Sequence, residues 1–201
     1  TYTVDSVNFN AAYVPGGIEF PIGGWDLTRA TVAGAYWIGN TEVTYKLWDK
    51  VRTWATNHGY TFANNGRQGG DLGTGAIGDN SHPVTTISWR DAMVWCNALT
   101  EYYNATNSTS LSCVYCTSTA YTAPIRTSTS SSTISTSAGS QDNPCVNPNA
   151  KGFRLLTRNE WELAARWRGS DTTNVVSNFV GIQFTQGDSA SGAKTFYNDA
   201  T

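Results

Sequence analysis

Cysteine and histidine are the side chains in this sequence most able to do chemistry, and their spacing limits what that chemistry can be. Cys113 and Cys116 form a Cys-x-x-Cys pair, and Cys145 follows well downstream. A structural zinc site built on such a pair needs a fourth ligand, and neither His58 nor His82 stands at a spacing that supplies one. A thioredoxin-like motif would sit between a strand and a helix of a βαβ unit, and no such pattern surrounds the pair. What remains for the three thiols is a disulfide from Cys145 to Cys113 or to Cys116, closing a long segment in an oxidising compartment. Cys96 falls on the apolar face of a helical pattern and reads as a core thiol. His58 ends another helical pattern, where a histidine serves the dipole and the last carbonyls. His82 precedes Pro83 without a ligand or nucleophile partner, so it too reads as structural. No catalytic residue and no metal set can be named, and no binding residue can be assigned.

The glycine-rich stretch from Ala63 to Asn80 invites a phosphate-loop reading, but it contains no G-x-x-x-x-G-K-[ST] and lacks the flanking strand and helix of a dinucleotide site. It reads as a loop. Residues 104–150 read as a Ser/Thr-rich surface insertion, because Thr127 to Ser137 is almost entirely serine and threonine and has little to offer a core, with an extended hairpin as the alternative because Thr favours strands. Asn104-Ala105-Thr106 and Asn107-Ser108-Thr109 match the glycosylation sequon.

Composition narrows the class. The chain has 201 residues, 39% hydrophobic and 12% aromatic, which is enough for one sizeable core. Charged residues are only 14%, well under the usual quarter, a balance that suits a secreted or surface protein. The formal net charge is −2 with Lys and Arg scattered, so the electrostatic footprint of a nucleic-acid binder is missing. No apolar run is long enough for a membrane span. The chain starts at Thr1 without a visible signal peptide, as a processed or trimmed chain would.

The elements that must position any site are announced most firmly between Arg154 and Gly169. Thr157 and Glu160 form the reciprocal T-x-x-E capping box, and Leu156 with Trp161 fits a hydrophobic staple. Trp161, Ala164 and Ala165 are spaced to face inward while Glu162 and Arg166 pair at i, i+4 outside, and Gly169 suits the stop. On that reading Trp161→Ala costs about 3–5 kcal/mol. An earlier helix is predicted over Tyr45–Thr56, capped by Thr44, with Leu47, Trp48, Val51, Trp54 and Ala55 in its apolar pattern. A further one starts at Ser88, whose box partner is Asp91, and buries Ala92, Trp95, Cys96 and Leu99. Pro15-Gly16-Gly17 marks a reversal between strands, and Thr31 to Ile38 reads as one strand that carries Tyr36, Trp37 and Ile38 into the core.

Phe153-Arg154-Leu155-Leu156-Thr157, then Glu160-Trp161-Glu162, then Ala164-Ala165-Arg166 resembles the R-L-P-T-E-A-E-W-E-x-A-A-R-G signature of the formylglycine-generating-enzyme-type (sulfatase-modifying factor) domain. Leu156 departs from the usual Pro, and Arg158 and Asn159 from the usual Glu and Ala. Val14-Pro15-Gly16-Gly17, Glu42-Val43-Thr44 and Pro83-Val84 through Ser88-Trp89, Asp91-Ala92 are similar to the family's V-P-G-G, E-V-T and P-V-x-x-V-S-W-x-D-A. The likeness runs from about Phe9 to Gly169.

The resemblance implies an α+β chain with the C-type lectin fold, short helices packed on small antiparallel sheets with much irregular structure. It implies a single domain over 1–201 that stops before the family's closing segment, with a cleaved, associated C-terminal fragment as one expected consequence. The copper-binding catalytic cysteines of the family's oxidases would lie beyond Thr201, and none of the cysteines present matches them. Calcium is a further family ligand, for which Asp188, Asn198 and Asp199 are the candidate oxygen donors. Two functions follow from the resemblance. One is a surface-displayed, lipid-anchored scaffold, similar to the variable proteins of diversity-generating retroelements in treponemes, which would bind a protein or glycan through a variable surface mostly C-terminal to this chain. The other is a copper oxidase acting on a cysteine of a protein substrate.

Overall fold

The computed structural model describes residues 1–70, 78–170 and 183–184. Asp188, Asn198, Asp199 and the centre of the glycine-rich stretch lie outside them. The element order is β1 (Tyr2–Val4), β2 (Val7–Phe9), β3 (Ala11–Val14), β4 (Ile18–Ile22), β5 (Thr28–Val32), β6 (Tyr36–Gly39), α1 (Tyr45–Thr56), β7 (Arg67–Gln68), β8 (Val84–Thr85), α2 (Trp89–Asn107), β9 (Tyr115–Cys116), β10 (Cys145–Val146), α3 (Arg158–Arg166), β11 (Trp167–Gly169) and β12 (Gln183–Phe184). The strands pair two by two, and the pairs β1–β2, β4–β5, β7–β8, β9–β10 and β11–β12 are antiparallel. The chain divides into two compact units, each assembled from non-contiguous segments: residues 1–10 with 39–155, and 11–38 with 156–201.

The first unit is built around α1 and α2. Thr44 caps α1 by accepting from the Leu47 N–H at 3.3 Å, and Leu47, Trp48, Val51 and Ala55 are buried along one face. Ser88 and Asp91 close the capping box of α2. This second helix is buried on more than the expected stripe, because Met93, Val94, Asn97, Ala98, Thr100 and Tyr102 are also inside. Trp48 and Trp95 stack at 5.4 Å, and the Trp95 indole N–H donates to Trp48 O at 3.1 Å and that of Trp48 to Asn65 O at 2.8 Å, so each large ring keeps its polar tip satisfied. The β1–β2 hairpin adds Val4 and Val7 to the same core. Asn97 spends its amide on structure: Nδ2 donates to Tyr115 O at 2.7 Å and Ile125 O at 3.0 Å, and Oδ1 accepts from Tyr115 N at 3.2 Å. That fixes β9 against α2.

The helix runs to Asn107, so the first residues of the stretch read as an insertion are its last turn. The Ser/Thr segment itself is fastened from its middle. The Arg90 guanidinium donates to Thr129 O, Ser131 O and Asp142 Oδ1, and Ser128, itself buried, donates to Asp91 Oδ1 at 2.5 Å.

The second unit pairs β4 with β5 in continuous register from Ile18–Val32 to Ile22–Thr28. The Pro15–Gly17 reversal forms as predicted. Gly17 has φ +71°, and a Cβ on Gly16 would stand 2.2 Å from the Gly34 carbonyl carbon, so no side chain fits there. The single strand expected over Thr31–Ile38 is instead two, β5 and β6, with a break at Ala33–Ala35. Tyr36 is buried, but Trp37 is 60% exposed and packs edge-on against Tyr13. One residue of β6 alternates to the opposite face from the next, which is why Tyr36 and Trp37 could not both enter the core.

The third helix corrects the sequence reading more deeply. Its capping box is present, with Thr157 N–H donating to Glu160 Oε2 at 2.8 Å. Yet its buried residues are Glu160, Leu163 and Arg166, while Trp161 is 64% exposed. Leu156 packs into the second unit's core with Phe20, Leu163 and Phe184. Glu162 and Arg166 do pair, at 2.9 Å, but inside rather than on the solvent face, and Arg166 also donates to Asp26 and to Gly23 O. The helix ends at Arg166, and Gly169 belongs to β11.

Candidate functional site

The first unit carries a polar cleft of about 400 Å³. One wall is the tip of the β1–β2 hairpin, where Asp5 (φ +39°) and Ser6 (φ +66°) form a two-residue turn with both central residues left-handed, the turn type whose twist matches the flanking strands. The other wall is a face of α1: Lys46, Asp49, Lys50 and Thr53 recur at i, i+3, i+4 and i+7 and stand side by side. Val7, Tyr45 and Asn80 complete the lining.

Charge in the cleft is already organised. Lys50 pairs with Asp5, whose Oδ2 also accepts from the Tyr102 hydroxyl at 3.1 Å. The bond from Lys50, then that from Tyr102, hold the Asp5 carboxyl below the usual carboxylate range, and Asp5 in turn raises Lys50. Asp49 accepts from Arg52 at 2.6 Å. The lining thus offers two ammonium groups, two carboxylates, hydroxyls and an amide. That set suits a polar ligand with both donors and acceptors, and it contains no nucleophile with an adjacent base.

None of the cysteines or histidines singled out in the sequence lines this cleft. His58 Nδ1–H donates to Trp54 O, 2.7 Å away, and the ring stacks on Trp54 at 3.9 Å, the helix-end role expected of it. His82 faces Asp79 at 3.1 Å; two bonds from Ser81 hold the Asp79 carboxyl down at about 2. The cleft has no contiguous signature in the sequence because its parts come from three separate stretches, residues 5–7, 45–53 and Asn80. The one signal for it was the i, i+4 pair Lys46 and Lys50.

Cys96, Cys113, Cys116 and Cys145 are all free thiols. Cys145 lies opposite Cys116 in the β9–β10 ladder, whereas the Cys113 sulfur points to Asn97 O at 3.6 Å. Burial pushes the Cys113 thiol up to about 12 and raises Cys116 as well. A copper(I) site of the oxidase type needs two convergent thiolates. Among the described residues no three His, Cys, Asp or Glu side chains gather as a metal site, and burial favours the thiol over the thiolate form of Cys113 and Cys116, against the convergent pair that copper requires.

The model of the sulfatase-modifying factor enzyme 1-like domain matches residues 13–199. Treponema denticola variable protein 1 is similar in structure, with 26% identity, a TM-score of 0.58, and coverage of 96% of this chain and 59% of that one. A crystal structure of CarF is also similar, with 24% identity, a TM-score of 0.56, and coverage of 88% of this chain and 70% of that one. No curated protein matches the chain. Three helices on small antiparallel ladders among the described residues, together with these likenesses, make the fold α+β and C-type-lectin-like.

Proposed function

The chain belongs to the sulfatase-modifying factor enzyme 1-like domain family, and from that footing we propose that it is a binding protein: a lipid-anchored scaffold displayed at the cell surface, which holds a variable surface rigid against a protein or glycan ligand. The observation that carries this reading is the 26% identity to Treponema denticola variable protein 1, sustained over 96% of this chain. The chain spans 59% of that protein's length. In this reading the variable surface belongs to the C-terminal part of the domain, and the residues described above hold it in place.

The local chemistry supports binding over oxidation. Asp91, Arg90 and Asn97 fasten the segments at Ala63–Asn64, Thr129–Ser131 and Tyr115 to α2, as a scaffold requires if exposed side chains are to change without loss of stability. Burial drives the Cys96 and Cys113 thiols toward the protonated form, the opposite of what an attacking thiolate needs.

Comparison of the coding sequence from independent isolates tests the proposal. Substitutions concentrated in one C-terminal tract over an unchanged scaffold are expected. A uniform spread of substitutions, with a fixed cysteine pair and copper-dependent conversion of a substrate cysteine to formylglycine, would replace the binding reading with the oxidase. Protease shaving of intact cells checks the surface location separately: loss of the protein without lysis is the expected result.

A further inference from the structure

We propose that Cys116 and Cys145 become joined by a disulfide that ties together the two ends of segment 117–144. The pairing follows from register, since Cys145 stands directly opposite Cys116 and Val146 opposite Tyr115. Asn147 N–H donates to Val114 O at 2.8 Å, so Val114 and Asn147 are a hydrogen-bonded pair of the ladder, and two residues along so are Cys116 and Cys145. Hydrogen-bonded pairs hold their Cα atoms about 5.5 Å apart, near the middle of the range a disulfide spans, roughly 4.4–6.8 Å. Opposed residues also present their side chains to the same face.

Cys113 is the competitor, and its position argues against it. Its sulfur is directed to the Asn97 carbonyl of α2 much as that of Cys116 is to the Cys113 carbonyl, but Cys113 has no opposed residue in the β9–β10 ladder whereas Cys116 faces Cys145. The opposition of Cys116 and Cys145 does not depend on a bond between them. Asn97 fixes β9, while Arg90 and Asp91 hold the middle of the segment through Thr129, Ser131, Asp142 and Ser128. Two thiols kept face to face by other contacts need only an oxidant.

A low-molecular-weight disulfide such as oxidised glutathione supplies it. Cys145, the less buried of the pair, attacks the disulfide as thiolate and forms a mixed disulfide with release of one glutathione thiolate. Cys116 then attacks the Cys145 sulfur, and the second glutathione leaves. The protein pair loses two electrons, glutathione disulfide gains them, and the two thiol protons end on the two glutathione molecules. The inference does not rest on the ligand-binding reading.

The whole chain, first reduced, is incubated with excess oxidised glutathione, alkylated under denaturing conditions and digested with trypsin. Cleavage after Arg90, Arg126 and Lys151 gives peptide 91–126, which holds Cys96, Cys113 and Cys116, and peptide 127–151, which holds Cys145. A linked pair of these peptides is expected in the wild type and in Cys113→Ser, where a hydroxyl can keep the contact with Asn97 O. The link is expected to vanish in Cys116→Ser and Cys145→Ser. A link that persists in Cys116→Ser, one that is lost in Cys113→Ser, or four alkylated thiols in the wild type would each overturn the proposal.

Discussion

Asp91 shows how much one buried side chain can organise. Its Oδ1 accepts from Ala63 N at 3.0 Å, Asn64 N at 3.4 Å and Ser128 Oγ at 2.5 Å, and its Oδ2 from Asn64 Nδ2 at 2.7 Å, Ser88 N at 2.9 Å and Ser88 Oγ at 2.7 Å. Burial alone would push this carboxyl up, but the bonds from Asn64, Ser128 and Ser88 outweigh it and hold it below the usual carboxylate range. Asp91→Asn keeps the shape and reverses part of the donor–acceptor match, so a loss of about 3 kcal/mol at neutral pH is expected from chemical denaturation. The pH dependence has a definite sign. A carboxyl lowered in the folded state stabilises above its unfolded value of about 3.9, and that contribution disappears as pH falls through the folded value. Melting temperature should therefore fall less steeply below about pH 4 in Asp91→Asn than in the wild type; parallel acid limbs would show that Asp91 is not a titrating contributor. The Ser88–Asp91 box was legible in the sequence because it is local. The partners Asn64 and Ser128 were not, because they lie 27 and 37 positions away.

At the scale of the element, α3 separates what a helix announces from what it conceals. The cap was legible at Thr157 and Glu160, since both sides of the box lie within one turn. Which face turns inward was not, because the stripe is occupied by Glu160 and Arg166, polar residues that pattern reading assigns to solvent. Arg166 is inside because Asp26 and Gly23 O meet its guanidinium there, contacts 140 and 143 positions away. Trp161 was thereby displaced outward, so Trp161→Ala should change stability by no more than about 0.5 kcal/mol, as an ordinary surface substitution does. Leu163→Ala, at a fully buried position, should cost about 2–5 kcal/mol. Thermal melts of the two variants decide it, and a large loss in Trp161→Ala alone would restore the inward-facing tryptophan. Arg166→Ala leaves Asp26 and Glu162 without their shared cation in a site where all three side chains are mostly buried. A loss of about 3–5 kcal/mol is expected from urea titration, and an effect near that of Trp161→Ala would mean water compensates the carboxylates.

For the molecule as a whole, contiguous signals carried the family and both helix-rich stretches, but the division into two units had no local signature, because each unit takes its chain from two separate stretches. The first unit makes this testable. Residues 39–155 contain α1 and α2 but lack Val4 and Val7, which the β1–β2 hairpin places in their shared core at 0% and 8% exposure. Two buried valines are worth about 1.5–3 kcal/mol each, a large share of a total stability of about 5–15 kcal/mol. The hairpin also brings Asp5 to Lys50 and Tyr102, and Thr3 O to the Asn107 amide at 2.9 Å. Its end is well placed for rejoining, since Asn40 N–H donates to Asn10 O at 3.1 Å. A linker of about four glycine and serine residues reaches ~13 Å, more than enough to connect residue 10 to residue 39. The joined chain of 1–10 and 39–155 should melt in one cooperative transition by circular dichroism. Residues 39–155 alone should melt broadly or far lower, and the linked chain carrying Val4→Ala and Val7→Ala should fall between them. Equal melting of 39–155 with and without the hairpin would show that α1 and α2 need no cover from β1 and β2, and that the cleft between hairpin and α1 is a surface depression rather than a seam of the core.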